Sequence, residues 1–240
     1  MKPSSQSTRT PSRLSDSVHH QLNMYALAAS AAGVGVLALT QAAEAKIVYT
    51  PAHHVIGEHS RYGLAFNHDN VDFYISNGSL KTTNHGWGQA WLAVRQGTVS
   101  GNAVEGASGQ PYGAAALKQG ARISSQRRFL VDGMMVGACR GHCGITSSLT
   151  YSTNGPWDNV RNRYLGLKFK IEGKFHYGWA RLNVKVYKRL AKISATLTGY
   201  AYETVPDKPI ITGKTKGPDV VTVQPDKAPG SLGSLALGRK

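Results

Sequence analysis

In "YLGLKFKIEGKFHYGWARLNV", residues 164–184, apolar positions alternate with basic and aromatic ones. The pattern sets Lys168, Lys170, Tyr177, Trp179 and Arg181, and just beyond them Lys185, on one side. An aromatic ring can stack on the apolar face of a sugar while arginine and lysine answer its acidic groups. The same cross-strand pairs also stabilise an exposed sheet, each by on the order of 0.2 to 1 kcal/mol. Both readings of this face stand at the level of sequence.

Three other groups carry less. In "LAFNHDNVDFYI", residues 64–75, Asn67, Asp69 and Asp72 offer hard oxygens just ahead of an alternating strand, as calcium requires. The supply is thin, because Ala65 stands where a first carboxylate is expected and Asn70 where a glycine would turn the chain; the default is an Asx-rich turn. Cys139 and Cys143, in "CRGHCG", are the only cysteines. They read as a disulfide closing a tight loop rather than as a zinc site with His142, since no second ligand pair exists. His53, His54, His59, His68 and His85 are dense, but no pair has the spacing of a recognised metal site.

Motifs of catalysis are missing: neither G-x-S-x-G nor H-E-x-x-H nor a glycine-rich phosphate loop occurs. The acids to examine for a distant pair are Asp132, Asp158, Glu172 and Glu203, each also read as a turn or surface residue. The expectation leans away from an enzyme and implies no cofactor other than a weakly supported calcium.

These residues need elements to position them. Lys2, Arg9 and Arg13 precede an apolar run, Met24 to Thr40, which is followed by Ala43-Glu44-Ala45. This reads as a secretory signal over 1–45, cleaved before Lys46, with a retained anchor as the alternative because the leader is long. Of the formal charge of +15, three basic and two acidic residues belong to that leader, which leaves +14 for the remainder. A domain so basic outside the membrane should attract acidic polysaccharide or another envelope polyanion; no nucleic-acid motif is present.

With 17% charged residues and 27 glycines, the chain suits short strands and turns. Strand-like runs recur at 46, 71, 90, 128, 145, 164, 178 and 192 without alternating long helices. The expectation is an all-β, antiparallel two-sheet β-sandwich, jelly-roll-like, over 46–205. One short helix is expected in "YGAAALKQGARI", residues 112–123, ended by Gly120. From Pro206 to Lys240 the composition predicts one last edge strand at most and a flexible Pro/Gly/Lys-rich tail.

If Glu172 and Gly173 form a two-residue turn, Phe169 falls opposite His176, Leu167 opposite Gly178 and Leu165 opposite Ala180. The second arm then buries Ala180, Leu182, Val184 and Val186, points His176 inward, and leaves Tyr177, Trp179 and Arg181 on the outer face. A slip of one residue would bury Trp179 instead.

The motifs "RYLGLKF", "HYGWARL", "ATLTGYAYET", "KPI" at 209 and "AAALKQGARI" resemble a group of exported bacterial proteins that often end in a PEP-CTERM sorting signal. The tail "SLGSLALGRK" departs from that pattern. The resemblance implies a secreted β-sandwich at the cell surface or in an extracellular polysaccharide matrix, and it implies no reaction. The expected function is non-catalytic binding of acidic polysaccharide or another envelope polyanion. The alternatives are a self-associating structural protein of the surface or matrix and, further off, a polysaccharide-active enzyme.

Overall fold

The computed structural model describes residues 46–66, 70–82, 86–141, 143 and 149–224. In chain order the strands are β1 Ile47–Ile56, β2 Ser60–Leu64, β3 Phe73–Lys81, β4 Gly88–Gln96, β5 Ala103–Glu105, β6 Arg122–Ile123 and β7 Phe129–Leu130. They continue with β8 Gly133–Gly141, β9 Thr150–Asn154, β10 Arg163–Ile171, β11 Lys174–Tyr187, β12 Lys192–Glu203, β13 Ile210–Ile211 and β14 Val220–Thr222. A seven-stranded sheet runs β14-β1-β12-β11-β10-β5-β7, and a five-stranded sheet runs β2-β3-β4-β8-β9. β6 and β13 form a small third ladder. All pairings are antiparallel except β1 with β14.

The two large sheets face each other across one core, to which Phe73, Ile75, Leu92 and Val136 contribute from one side and Leu165, Leu167, Phe169, Leu182 and Leu197 from the other. The alternation that predicts this is visible in the burial of β3 and β12, where every second residue is shielded. Phe66 joins the core, its ring stacked on Phe169 at 4.2 Å between centroids.

The hairpin of β10 and β11 has the expected register: Phe169 pairs with His176, Leu167 with Gly178 and Leu165 with Ala180. Glu172 and Gly173 both take positive φ, 50° and 77°, as a two-residue turn matched to strand twist demands. Ala180, Leu182, Val184 and Val186 are buried, and His176 points inward with Nδ1 2.9 Å from the Glu203 carbonyl oxygen.

The expected helix over 112–123 is absent. Its amides are spent on neighbouring chain segments: Ala114 N–H donates to the Met134 carbonyl (2.8 Å), Ala115 to Glu105 (2.8 Å) and Leu117 to Tyr164 (2.9 Å). The Trp157 indole N–H donates to the Ala114 carbonyl at 3.0 Å. Helix propensity is worth tenths of a kcal/mol per residue, and ladder bonds with a buried Ala114 outweigh it.

The C-terminal expectation also changes. Instead of a loose tail after one edge strand, residues 210–222 supply two strands, with Ile210 and Thr212 buried. The Thr212 hydroxyl accepts from Ala121 N–H (2.9 Å) and donates to the Lys118 carbonyl (2.7 Å). Residues 1–45 and 225–240, and with them the expected signal sequence and the end of the tail, lie outside the described residues. Among those described, no helix is long and apolar enough to cross a membrane.

Candidate ligand-binding face

The six side chains expected to share one exposed face do not form one. Tyr177 and Trp179 turn away from the main core, as the register requires, yet both are buried. A second apolar layer covers them, built from Ile123 of β6, Ile210 of β13, Tyr164 and Ile47, with Tyr49, Leu117, Phe129 and Val220 at its margin. Trp179 meets the edge of Tyr164 at 5.2 Å and lies 5.9 Å from Tyr49. Burial on both faces shows in β11 as an unbroken shielded run, His176 to Ala180. The strand thus has no slip: the correction comes from a cover of chain from both sides of β11 in sequence, β6 before it and β13 after it.

The basic members are separated too. Arg181 donates from Nε to the Thr198 hydroxyl (2.8 Å) and from Nη2 to the Thr198 carbonyl (2.9 Å), stapling the bulge at which β11 and β12 shift register. The Lys168 ammonium sits 4.7 Å from the Phe175 ring and 5.1 Å from Phe129, and Lys170 lies 5.3 Å from Phe175. Lys185 lies over Tyr187 and lines a separate polar depression of about 370 Å³ with Arg161 and Asn162.

Asp72 is fully buried, and its carboxylate is already answered by protein donors. Phe66 N–H donates to Oδ2 (2.9 Å) and Asn102 Nδ2 to Oδ1 (3.1 Å). Asn102 in turn accepts from Lys170 N–H (3.0 Å), so the pair clamps the entry to β3 onto β10. Burial pushes the Asp72 carboxyl above its ordinary range against these bonds. This corrects its expected role as a calcium ligand; Asn67 and Asp69 lie outside the described residues. No group of three or more metal-ligating side chains occurs among those described.

Cys139 and Cys143 form a disulfide with Cα atoms 5.9 Å apart, closing a turn in which Gly141 takes φ 98°. The acids singled out for catalysis have structural partners or turn positions. Asp132 accepts from Gln96 N–H (3.1 Å), Asp158 from the Thr153 hydroxyl (2.6 Å) and buried Glu203 from Val205 N–H (3.1 Å), while Glu172 forms the hairpin turn.

The open aromatic face lies on the other sheet. On β3 and β4 the residues turned from the core pair as Tyr74 with Arg95, Ser76 with Ala93 and Gly78 with Trp91; Arg61 of β2 lies beside Ser76. The Trp91 indole lies across Gly78 so closely that a Cβ there would stand 2.4 Å from the ring. Glycine is therefore what lets the indole lie flat on the sheet. A shallow depression of about 470 Å³ opens against it, lined also by His59, Arg61, Ser76 and Arg95. The Arg61 guanidinium stacks 4.6 Å from the Tyr74 ring, which holds its charge at the rim.

Glu58, which precedes His59 of the lining, is neutralised locally. It accepts from Lys81 Nζ at 2.6 Å, and hydrogen bonds from Lys81 and Ser79 hold its carboxyl below the ordinary value. The depression keeps an excess of positive charge from two exposed arginines. An indole beside two guanidinium groups can stack on the apolar face of a ring and meet an anionic substituent on it.

Sequence reading placed a strand at 90 but missed Trp91, Arg61 and Arg95 as a set. The signal was present: in "FYISNGSL" and "GQAWLAVR" the outward positions share one parity. What was missing was the register between β3 and β4, which the intervening loop does not reveal. Compared with protein-family models, with curated proteins and with solved structures, the chain matches none.

Proposed function

We propose that this protein is an exported, non-catalytic β-sandwich that binds acidic polysaccharide at the cell surface or in an extracellular matrix. Its binding surface is the open face of the five-stranded sheet. A sugar ring stacks on Trp91, and Arg61 and Arg95 meet the carboxylate or sulfate groups. The observation that carries this reading is the Trp91 ring lying on Gly78 in an open depression that two exposed arginines also line. The net charge of +15 adds long-range attraction for a polyanion. Support for export comes from the basic and apolar leader, the disulfide and the likeness of "HYGWARL" and "ATLTGYAYET" to exported proteins of the PEP-CTERM kind.

The test is binding of the purified protein and its Trp91→Ala variant to a panel of acidic and neutral glycans at physiological salt, with calcium and with chelator. Selective binding that the variant loses supports the reading. Equal binding to every polyanion, abolished by moderate salt in both proteins, overturns it. Loss of binding in chelator returns Asn67 and Asp69 to the site.

A second reading, a self-associating matrix protein, is favoured by β9. This strand ends the five-stranded sheet, and its Tyr151 is exposed. Concentration-dependent assembly without ligand, measured by sedimentation, would promote it.

A further inference from the structure

The open face continues past Trp91. One outward row runs from Arg61 through Ser76 and Ala93 to Met134, and the next from Gly78 through Trp91 and Gly137 to Asn154. Beyond Met134 the sheet is prolonged by main chain outside the named strands. Met134 N–H donates to the Tyr112 carbonyl (2.7 Å), and Ala114 N–H donates to the Met134 carbonyl (2.8 Å). At this end a second depression, of about 340 Å³, lies against Tyr112, Met134 and Asn154. From β2 to the Tyr112 segment there are four inter-strand steps, roughly 19 Å in all at about 4.8 Å each.

Tyr112 is 79% exposed, and Met134 is 40% exposed. The loop that presents Tyr112 is braced from below: Ala107 N–H donates to the Gly113 carbonyl (2.7 Å), and the Arg128 guanidinium donates to the carbonyls of Ala107 (3.3 Å), Gln110 (3.4 Å) and Pro111. A loop braced in this way presents the ring to a ligand with little cost of ordering the backbone. The two ends differ in charge. Arg61, Arg95 and His59 line the first depression, whereas among the described residues no charged side chain lines the second.

We propose that the two depressions are subsites of one groove, which takes a linear polysaccharide running across the strands. An anionic sugar stacks on Trp91 beside the arginines, and a neutral sugar further along the same chain stacks on Tyr112. The ligand class is therefore an acidic heteropolysaccharide recognised within its length, not a terminal sugar and not a uniformly charged polymer. This rests on the reading of Trp91 given above.

Hyaluronan oligosaccharides, which alternate a uronic acid with a neutral amino sugar, provide the probe, and oligogalacturonates of matched length provide the uniformly charged control. Calorimetry on the purified protein should show hyaluronan affinity rising from disaccharide to octasaccharide, with the octasaccharide above its oligogalacturonate counterpart. Tyr112→Ala should remove that rise, about tenfold, and leave the disaccharide unchanged, whereas Trp91→Ala should weaken both. If Trp91→Ala weakens both but Tyr112→Ala weakens neither, or if disaccharide and octasaccharide bind alike, the second subsite is overturned and the Trp91 site stands. If oligogalacturonate binds as tightly as hyaluronan at every length, the mixed-charge requirement is overturned. If Trp91→Ala changes nothing, both readings fall.

Discussion

Each large sheet carries a tryptophan on the side turned from the shared core, Trp179 on β11 and Trp91 on β4, and the two rings meet opposite conditions. Around Trp179, β6 and β13 bring Ile123 and Ile210 over the sheet, with Val220 of the edge strand β14 at the margin, so the ring becomes part of a second core. Around Trp91 the chain supplies Gly78 beneath the ring and arginines at the side, and no segment among the described residues closes the depression. An outward aromatic is therefore a candidate contact only when no other segment of chain packs over it. The carboxylates follow suit. Buried Glu105, on the covered side beside Gly166 and Leu117, has its carboxyl pushed up by burial, against the pull of Arg127. Glu58, beside the open depression, is held down by Lys81 and Ser79.

The largest expected contrast is between the tryptophans themselves. Trp179→Ala should cost about 3 to 5 kcal/mol of stability, whereas Trp91→Ala should cost no more than about 1 and act on binding instead. Chemical denaturation of both variants tests this, and equal losses would break the comparison. Ile210→Ala, which thins the cover without touching β11, should cost about 2 to 5 kcal/mol and raise the accessibility of Trp179 to a fluorescence quencher. Unchanged quenching would mean that the cover does not shield that ring.

A smaller effect separates the two carboxylates by pH. Because the folded state holds the Glu105 proton above the usual value of 4.5, this residue's contribution to stability falls as pH rises from there. Glu105→Gln should remove that decline, by no more than about 1.4 kcal/mol per pH unit for one proton, as followed by thermal unfolding from pH 4.5 toward neutrality. Glu58 acts in the opposite sense, with stability present above 4.5 and lost as pH falls. It is exposed enough that solvent and salt mute the effect. A steeper decline in the Gln variant would reverse the assignment. Smallest of all, Glu172→Asn should stabilise the hairpin by a few tenths of a kcal/mol, since asparagine tolerates positive φ better than glutamate at a turn of this kind. A lower melting temperature would show that Glu172 makes a contact that offsets its strain.

Whatever depends on local pattern is legible in the amino-acid sequence alone. Period-two alternation in "YLGLKFKI" and "ARLNVKV", with a two-residue turn between the arms, set the β10–β11 register and the core residues Leu165, Leu167, Phe169 and Leu182. Turn density and composition set the all-β class, and two cysteines four residues apart set the disulfide. Only the tertiary structure decided which outward face stays open. That outcome turns on contacts such as Ile210 with Trp179's cluster and Leu117 with Tyr164, between residues far apart in the chain. Alternation places a side chain on one face of a sheet or the other, and it carries no information about what later packs against that face. Tyr177 and Trp179 were therefore placed on the right side of β11 and given the wrong surroundings, while Trp91 waited for the pairing of β3 with β4 to lay it beside Gly78.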